Sequence, residues 1–266
     1  MRGMYKIRYA IWLVAGFSLF ISGCPFKSGV EGKAWFRYAL KFDQARNDLI
    51  ENDLAGKNSA MRDFARLDKI ILKYMRAKQP TEDEIISVLK SPNREFQKVG
   101  LTAMFLKPIE TDKLIEILFE FLQDQDRQFK GYAFDSLGKF ADFPESKKAA
   151  LGERLLEIVK KEKDDYGLFN AGSSLLAKFP SEEAGRFLTE QLMKEDGRKE
   201  DRLLRLVAFN ALKEMGESYY EKAKEYVNAH GSSEIKDEVL KNEKAWEDMH
   251  SEENEKSINE CFPGKK

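Results

Sequence analysis

The segment DRQFKGYAFDSLGKF, residues 126–140, indicates how the chain is built, because similar segments recur along it. The others are NREFQKVGLTAMFLK at 93–107, DYGLFNAGSSLLAKF at 165–179 and DRLLRLVAFNALKEM at 201–215. Successive copies begin 33, 39 and 36 residues apart. Recurrence at such a period is typical of proteins built from repeated helical hairpins.

Each copy has the pattern of an amphipathic helix. In residues 126–140, apolar or small side chains stand at spacings that return to one face of an α-helix: Phe129, Tyr132, Ala133, Ser136, Leu137 and Phe140. The two later copies repeat the whole pattern, whereas the first loses it at Lys107. Every copy opens with a residue whose side chain can cap a helix N-terminus, namely Asn93, Asp126, Asp165 or Asp201. We therefore predict that a helix begins after each of these residues.

One column of the repeat is always small, with Gly100, Ala133, Gly172 and Ala208 at equivalent positions. Small side chains let two helix axes approach closely, so a partner helix is expected to cross there. The segments before the copies supply that partner: Thr81 and Glu84 form a predicted capping box, and apolar stripes follow at 85–89, 114–122, 151–159 and 184–192. A first helix (A) and a second helix (B) thus form one hairpin per repeat.

The pattern resembles the HEAT repeats, especially the short bacterial kind, through the segments AFDSLGKF at 133–140 and AFNALKEM at 208–215. The resemblance covers residues 81–216 and implies an all-α fold, an α-solenoid of antiparallel helical hairpins. Tetratricopeptide repeats are the close alternative, although the spacings here drift and the Gly and Tyr positions do not recur together.

The flanking segments also have helical periodicity. Residues 33–80 are predicted to form an N-terminal capping hairpin with two apolar stripes, one at Trp35, Tyr38, Ala39, Phe42, Leu49 and Ile50 and one, after Gly56, at Phe64, Leu67, Ile71 and Met75. Residues 217–249 are predicted to form a degenerate C-terminal hairpin. The acidic, weakly apolar segment 250–266 is predicted to be a mobile tail.

The N-terminus has the layout of a secretory signal peptide. Three basic residues precede an uncharged run of close to 12 residues that ends in FISGCP at 20–25. Ile21 to Cys24 resembles the lipobox of bacterial lipoproteins, which implies cleavage after residue 23, lipid (palmitate) attachment to Cys24 and a tether over 24–32. Pro25 is not the Asp that retains some such proteins in the inner membrane, so the resemblance favours the periplasmic face of the outer membrane.

Composition excludes several classes of function. Removing residues 1–23 takes away three positive charges, so the formal net charge goes from −1 to −4, without a nucleic-acid-binding signature. Neither His230 nor His250 stands at metal-ligand spacing with Cys261, the one other cysteine. No nucleophile, phosphate-binding or metalloprotease motif occurs. We therefore expect no catalytic residue, metal or cofactor.

One feature can be weighed as a binding site. The position after each capping residue holds Arg94, Arg127, Tyr166 or Arg202, and Arg205 lies three residues beyond the last. Because B helices line the concave side of HEAT-like solenoids, these five residues are a candidate binding ridge for an acidic partner. The alternative is a structural ladder, in which each Arg pairs with the capping Asp of the neighbouring repeat.

These patterns predict a lipid-anchored scaffold or docking protein of the cell envelope that binds envelope proteins, contacts the membrane through its lipid and is not an enzyme. Two alternatives remain open. One is an enzyme or enzyme subunit, because HEAT-like repeats occur in phycobilin lyases. The other is a tetratricopeptide-like accessory lipoprotein of an outer-membrane assembly or secretion machine.

Overall fold

A computed structural model of the protein describes residues 29–54, 60–194 and 199–249, which form twelve α-helices and no strand. The predicted all-α class is confirmed. In chain order the helices are α1 Ala34–Leu54, α2 Ala60–Arg76, α3 Glu82–Leu89, α4 Arg94–Leu106, α5 Asp112–Phe121, α6 Arg127–Gly138, α7 Glu145–Lys161, α8 Tyr166–Leu176, α9 Glu182–Leu192, α10 Lys199–Met215, α11 Glu217–His230 and α12 Ser233–Met249.

The chain divides into two compact units, one ending at Lys107 and the other beginning at Pro108. In the first unit α1 packs on α2 and α4, and α3 packs on α4. Trp35 and Tyr74 are fully buried in this unit, and the Tyr74 hydroxyl donates to the Ala103 carbonyl oxygen at 3.2 Å. Burial raises the pKa of Tyr74 above its ordinary value. The capping box is confirmed, since Thr81 and Glu84 each accept from the other's backbone N–H.

The predicted apolar stripe of α2 is wrong at its two ends. Leu67 is buried and Ile71 is partly buried, but Phe64 and Met75 are exposed, as is Ile50 of α1. The core face is centred on Leu67 and Tyr74, which stand seven residues, about two helical turns, apart. Met75 lies about 100° around the helix from Tyr74 and so faces away from α1.

The second unit consists of four hairpins, α5/α6, α7/α8, α9/α10 and α11/α12, and the two helices of each pack on one another. The B helices also pack in sequence, α6 on α8, α8 on α10 and α10 on α12. The apolar residues predicted for the A helices are buried: Leu114, Ile117, Leu118, Phe121, Leu122, Leu151, Leu155, Ile158, Val159, Ala184, Phe187, Leu188 and Leu192. Each A helix therefore contributes a continuous apolar face to the core.

Three of the four predicted N-caps are confirmed. The side chains of Asn93, Asp126 and Asp165 accept from backbone N–H groups in the first turns of α4, α6 and α8. The prediction is wrong for Asp201, which is buried within α10, because that helix already begins at Lys199.

The small column does mark helix crossings. A Cβ atom built on Gly172 of α8 would come within 2.7 Å of Val159 Cγ2, on the preceding A helix, and within 3.2 Å of the Phe134 ring. A Cβ on Gly100 of α4 would lie 2.8 Å from Leu89 Cδ2 of α3. The partner helices therefore cross where the sequence predicts. The predicted signal peptide, Cys24, Gly56 and the tail from residue 250 lie outside the described residues.

Candidate docking surface

Arg127, the first residue of α6, reaches across to the N-terminus of α8. Its Nη2 donates to Asp165 Oδ1 at 2.8 Å and its Nε donates to Asp165 Oδ2, which makes a two-point ion pair. The hydrogen bond from Arg127 lowers the pKa of Asp165, and the hydrogen bond to Asp165 raises the pKa of Arg127. Gly167 leaves room for this contact, because a Cβ there would meet Arg127 Nη2 at 2.7 Å. Arg127 therefore pairs with the capping Asp of the neighbouring repeat, as the structural ladder predicts.

A second cation joins the same two helices at their other ends. Lys178 follows α8 and donates through Nζ to the carbonyl oxygens of Gly138 and Phe140, at 2.9 and 2.6 Å. These carbonyls lie at the C-terminal end of α6, where the helix dipole favours a positive charge. Burial lowers the pKa of Lys178. Sequence analysis missed this contact, although lysine stands just before Phe140 and just before Phe179 in two copies of the repeat.

Two further ridge residues pair with α12. Arg205 donates from Nε and Nη2 to Glu238 Oε2, at 3.0 and 2.7 Å, and from Nη1 to the Lys194 carbonyl at 2.8 Å. Its side chain is only 6% exposed, so its guanidinium is part of the interior. Arg202 contacts Glu234 at 3.1 Å and stays 64% exposed. Arg205 is thus structural, whereas Arg202 remains accessible.

The other two ridge residues lie in different units. Arg94 is exposed at the start of α4, in the first unit, and donates from Nη1 to Gln97 Oε1 at 3.1 Å. Tyr166 opens α8 in the second unit and is 43% exposed. Within the second unit, the structure therefore brings Arg127, Tyr166 and Arg202 to the N-terminal ends of successive B helices.

The outer faces of α8 and α10 carry exposed apolar side chains. Leu203 and Leu206 of α10 are 40% and 37% exposed, and they stand close to Arg202 on that helix. On α8 the corresponding positions are Gly167 and Asn170. We name Tyr166, Leu203 and Leu206 the apolar patch. Exposed apolar side chains beside two accessible guanidiniums form a surface suited to a protein partner with apolar and acidic groups.

The described part of the chain also contains two grooves between helices, one in each unit. A groove of about 450 Å³ lies between α1 and α2 and is lined by Tyr38, Lys41, Gln44, Arg66, Lys69, Ile70 and Lys73. The other, of about 300 Å³, lies between α9 and α11, where Lys222 pairs with Glu182 at 2.6 Å. Sequence analysis missed both grooves, because each depends on how two helices are placed side by side.

The described residues contain no group of three or more His, Cys, Asp or Glu side chains that could hold a metal ion. His230 is exposed at the end of α11, and its ring lies 4.6 Å from that of Tyr226. His250 and Cys261 lie outside the described residues. None of the twelve described helices is both long enough and apolar enough to span a bilayer.

Comparison of the chain with protein-family models, with curated proteins and with solved structures finds no match.

Proposed function

We propose that this chain is a lipid-anchored protein of the bacterial cell envelope, built as a HEAT-like α-solenoid, that docks other envelope proteins and acts by binding rather than by catalysis. The lipobox-like segment at Cys24 supports the anchor and a place at the periplasmic face of the outer membrane. The sequential packing of α6, α8, α10 and α12 supports the solenoid, because each B helix uses one side to pack on the next.

The observation that carries the docking role is the apolar patch. Tyr166, Leu203 and Leu206 are exposed on two B helices that pack together, while the inward faces of those helices carry core residues such as Phe169 and Phe209. Aromatic and Arg side chains are enriched where proteins bind one another. We therefore place the partner over α8 and α10, with Arg127 and Arg202 at its edge.

The candidate ridge takes two different roles in this proposal. Arg205 stabilises the fold through Glu238, so it is not available to a partner. The exposed residues Arg127 and Arg202 already have a carboxylate each, so they orient a partner more than they add affinity. Screening of exposed charges predicts that their contribution falls as salt rises.

Crosslinking on membranes followed by mass spectrometry tests the patch. The variant Leu203→Ser/Leu206→Ser should lose recovery of the partners that the unmodified protein crosslinks. The matched control is Leu240→Ser on α12, an exposed leucine outside the patch. Thermal midpoints within a few degrees would show that both variants are folded. Equal partner recovery by all three proteins would remove the patch from the proposal.

The ridge is tested separately. Arg127→Gln/Arg202→Gln should reduce recovery of the same partners, and raised salt should have the same effect on the unmodified protein. Arg205→Gln should instead lower the thermal midpoint. A folded double variant that recovers the same partners at the same salt would show that these two guanidiniums take no part in docking.

The anchor has its own test. Cys24→Ala should abolish incorporation of a fatty-acid analogue and leave unprocessed precursor. Equal labelling of the variant and the unmodified protein, or no labelling of either, would reject the lipid anchor without bearing on the apolar patch.

A further inference from the structure

The groove between α1 and α2 concentrates positive charge. Lys41 of α1 faces Lys69 and Lys73 of α2 across it, and all three are exposed side chains that make no hydrogen bond or ion pair with other described residues. Arg66 also lines the groove and pairs with Asp48 at 2.8 Å. Four cations therefore line a space of about 450 Å³, and one of them is paired with a carboxylate. An anion is the ligand that such a space favours.

The cations of the groove belong to a longer stripe on α2. Arg62, Arg66, Lys69, Lys73 and Arg76 follow one another at spacings of four, three, four and three residues, and all five are exposed. With 3.6 residues per turn, these spacings keep the five side chains along one side of the helix. The helix therefore carries a cationic stripe about four turns long.

Exposed apolar side chains lie beside this stripe. Phe64, Leu72 and Met75 of α2 are 57%, 55% and 47% exposed. With 3.6 residues per turn, Leu72 lies next to Lys69 and Arg76 around the helix, and Met75 and Phe64 follow further round, on the flank away from the groove. The outward half of α2 is therefore apolar on one side and cationic on the other, with Asp68 as its one acidic residue. An amphipathic helix of this kind lies in a bilayer interface, with its cations at the headgroups.

Charge is divided unequally along the chain. Residues 33–78, which contain α1 and α2, hold 11 Lys and Arg against 6 Asp and Glu, a formal charge of +5. Residues 79–266 have a formal charge of −9. An anionic surface therefore attracts the N-terminal hairpin, whereas the net charge of residues 79–266 opposes binding to such a surface.

We infer that the outer face of α2, together with the α1/α2 groove, is a membrane-docking face that binds the anionic headgroups of a phospholipid bilayer. The lysines of the groove hold headgroup phosphates, and Phe64, Leu72 and Met75 enter the interface. A bilayer explains both features at once, since an acidic peptide in the groove would leave the apolar side chains in water. This face goes beyond the proposed scaffold function and does not depend on acylation of Cys24.

Vesicle binding by a chain without the lipid tests the inference. The protein is residues 24–266 with Cys24→Ser, which keeps every described residue, and the vesicles contain phosphatidylglycerol and phosphatidylcholine in equal parts. Co-sedimentation should show binding at low salt that is absent on pure phosphatidylcholine. Lys41→Gln/Lys69→Gln/Lys73→Gln should lower the partition coefficient about 100-fold, because each cation near an anionic membrane surface contributes about fivefold.

The matched control removes the same charge elsewhere. Lys113, Lys163 and Lys241 are exposed residues of the second unit that also make no hydrogen bond or ion pair with other described residues, and their triple change to Gln should leave vesicle binding nearly intact. Leu72→Ser/Met75→Ser should weaken binding as well, whereas Leu240→Ser should not. Circular dichroism melting curves establish that every variant is folded.

Three results would overturn the inference. The first is that the lipid-free protein with all groove lysines in place does not bind anionic vesicles. The second is an equal loss in the two lysine triples, which would mean that net charge alone governs binding. The third is displacement by inorganic phosphate well beyond that by chloride at equal ionic strength, which would indicate a discrete phosphate site. Because the tested chain carries no lipid, failure here leaves the Cys24 labelling experiment unaffected, and the reverse also holds.

Discussion

Adding one methyl group at Gly172 should destabilise this protein, although the same change normally stabilises a helix. Alanine is more favourable than glycine by about 1 kcal/mol in a helix interior. At Gly172 the new Cβ would lie 2.7 Å from Val159 Cγ2 and 3.2 Å from the Phe134 ring, and both neighbours are buried. Overpacking of this kind costs about 1–3 kcal/mol. Gly172→Ala should therefore lower the free energy of unfolding by roughly 0–2 kcal/mol.

Gly131→Ala is the matched control. It lies in the interior of α6, and its Cβ would find its nearest neighbour, Leu168 Cδ2, at 4.0 Å, an ordinary contact distance. This variant should be stabilised by up to about 1 kcal/mol, so the two variants should differ by about 1–3 kcal/mol.

Urea unfolding followed by the fluorescence of Trp246 measures this difference in the second unit. The other tryptophan of the described chain, Trp35, lies in the first unit and can be replaced by Phe in every protein compared. Equal stabilisation by Gly172→Ala and Gly131→Ala would refute the reasoning, because it would mean that α7 does not cross α8 at Gly172.

Three other predictions follow from the contacts of the second unit. Arg205→Leu should lower the free energy of unfolding by about 3 kcal/mol, because Glu238 is left without its partner, and adding Glu238→Leu should restore most of the loss in urea unfolding. Since hydrogen bonding to Arg127 lowers the pKa of Asp165, the stability from this pair is present above the unfolded-state pKa near 4 and lost as pH falls through the lower folded-state pKa. Asp165→Asn should flatten this part of an acid melting series. Ala208→Leu should lower the free energy of unfolding by about 1–3 kcal/mol, because the larger side chain overpacks the helix crossing.

Each of these has an outcome that contradicts it. A double variant as unstable as Arg205→Leu alone would mean that Glu238 does not create the penalty. If the stability of Asp165→Asn falls as steeply with decreasing pH as that of the unmodified protein, another carboxylate governs the loss of stability in acid. An unchanged urea midpoint in Ala208→Leu would reject the repeat register.

The features that could be predicted from sequence are those set by neighbours along the helix. The caps Asn93, Asp126 and Asp165 and the small residue Gly172 were recognisable because a cap or a crossing repeats at the period of the hairpin. Asp201 has the same place in the pattern, yet α10 begins before it, so pattern alone did not locate that helix start.

The site was harder to predict because its contacts join residues far apart in sequence. Arg205 pairs with Glu238 of α12, a segment whose sequence has no recognisable copy of the repeat. The groove lysines Lys41 and Lys69 come together only once the α1/α2 hairpin closes, and no short-range periodicity connects them.

The two contacts that join α6 and α8 have a mechanical consequence. The Arg127–Asp165 pair lies at the N-terminal ends of both helices, and Lys178 holds the opposite ends through the carbonyls of α6. The two helices therefore run parallel and are fastened at both ends. If α8 slides along α6 in either direction, contacts at both ends are stretched together, so the pair resists shear. A pull applied to one of these helices is passed to the other as a displacement of the whole pair instead of being absorbed by slippage between them.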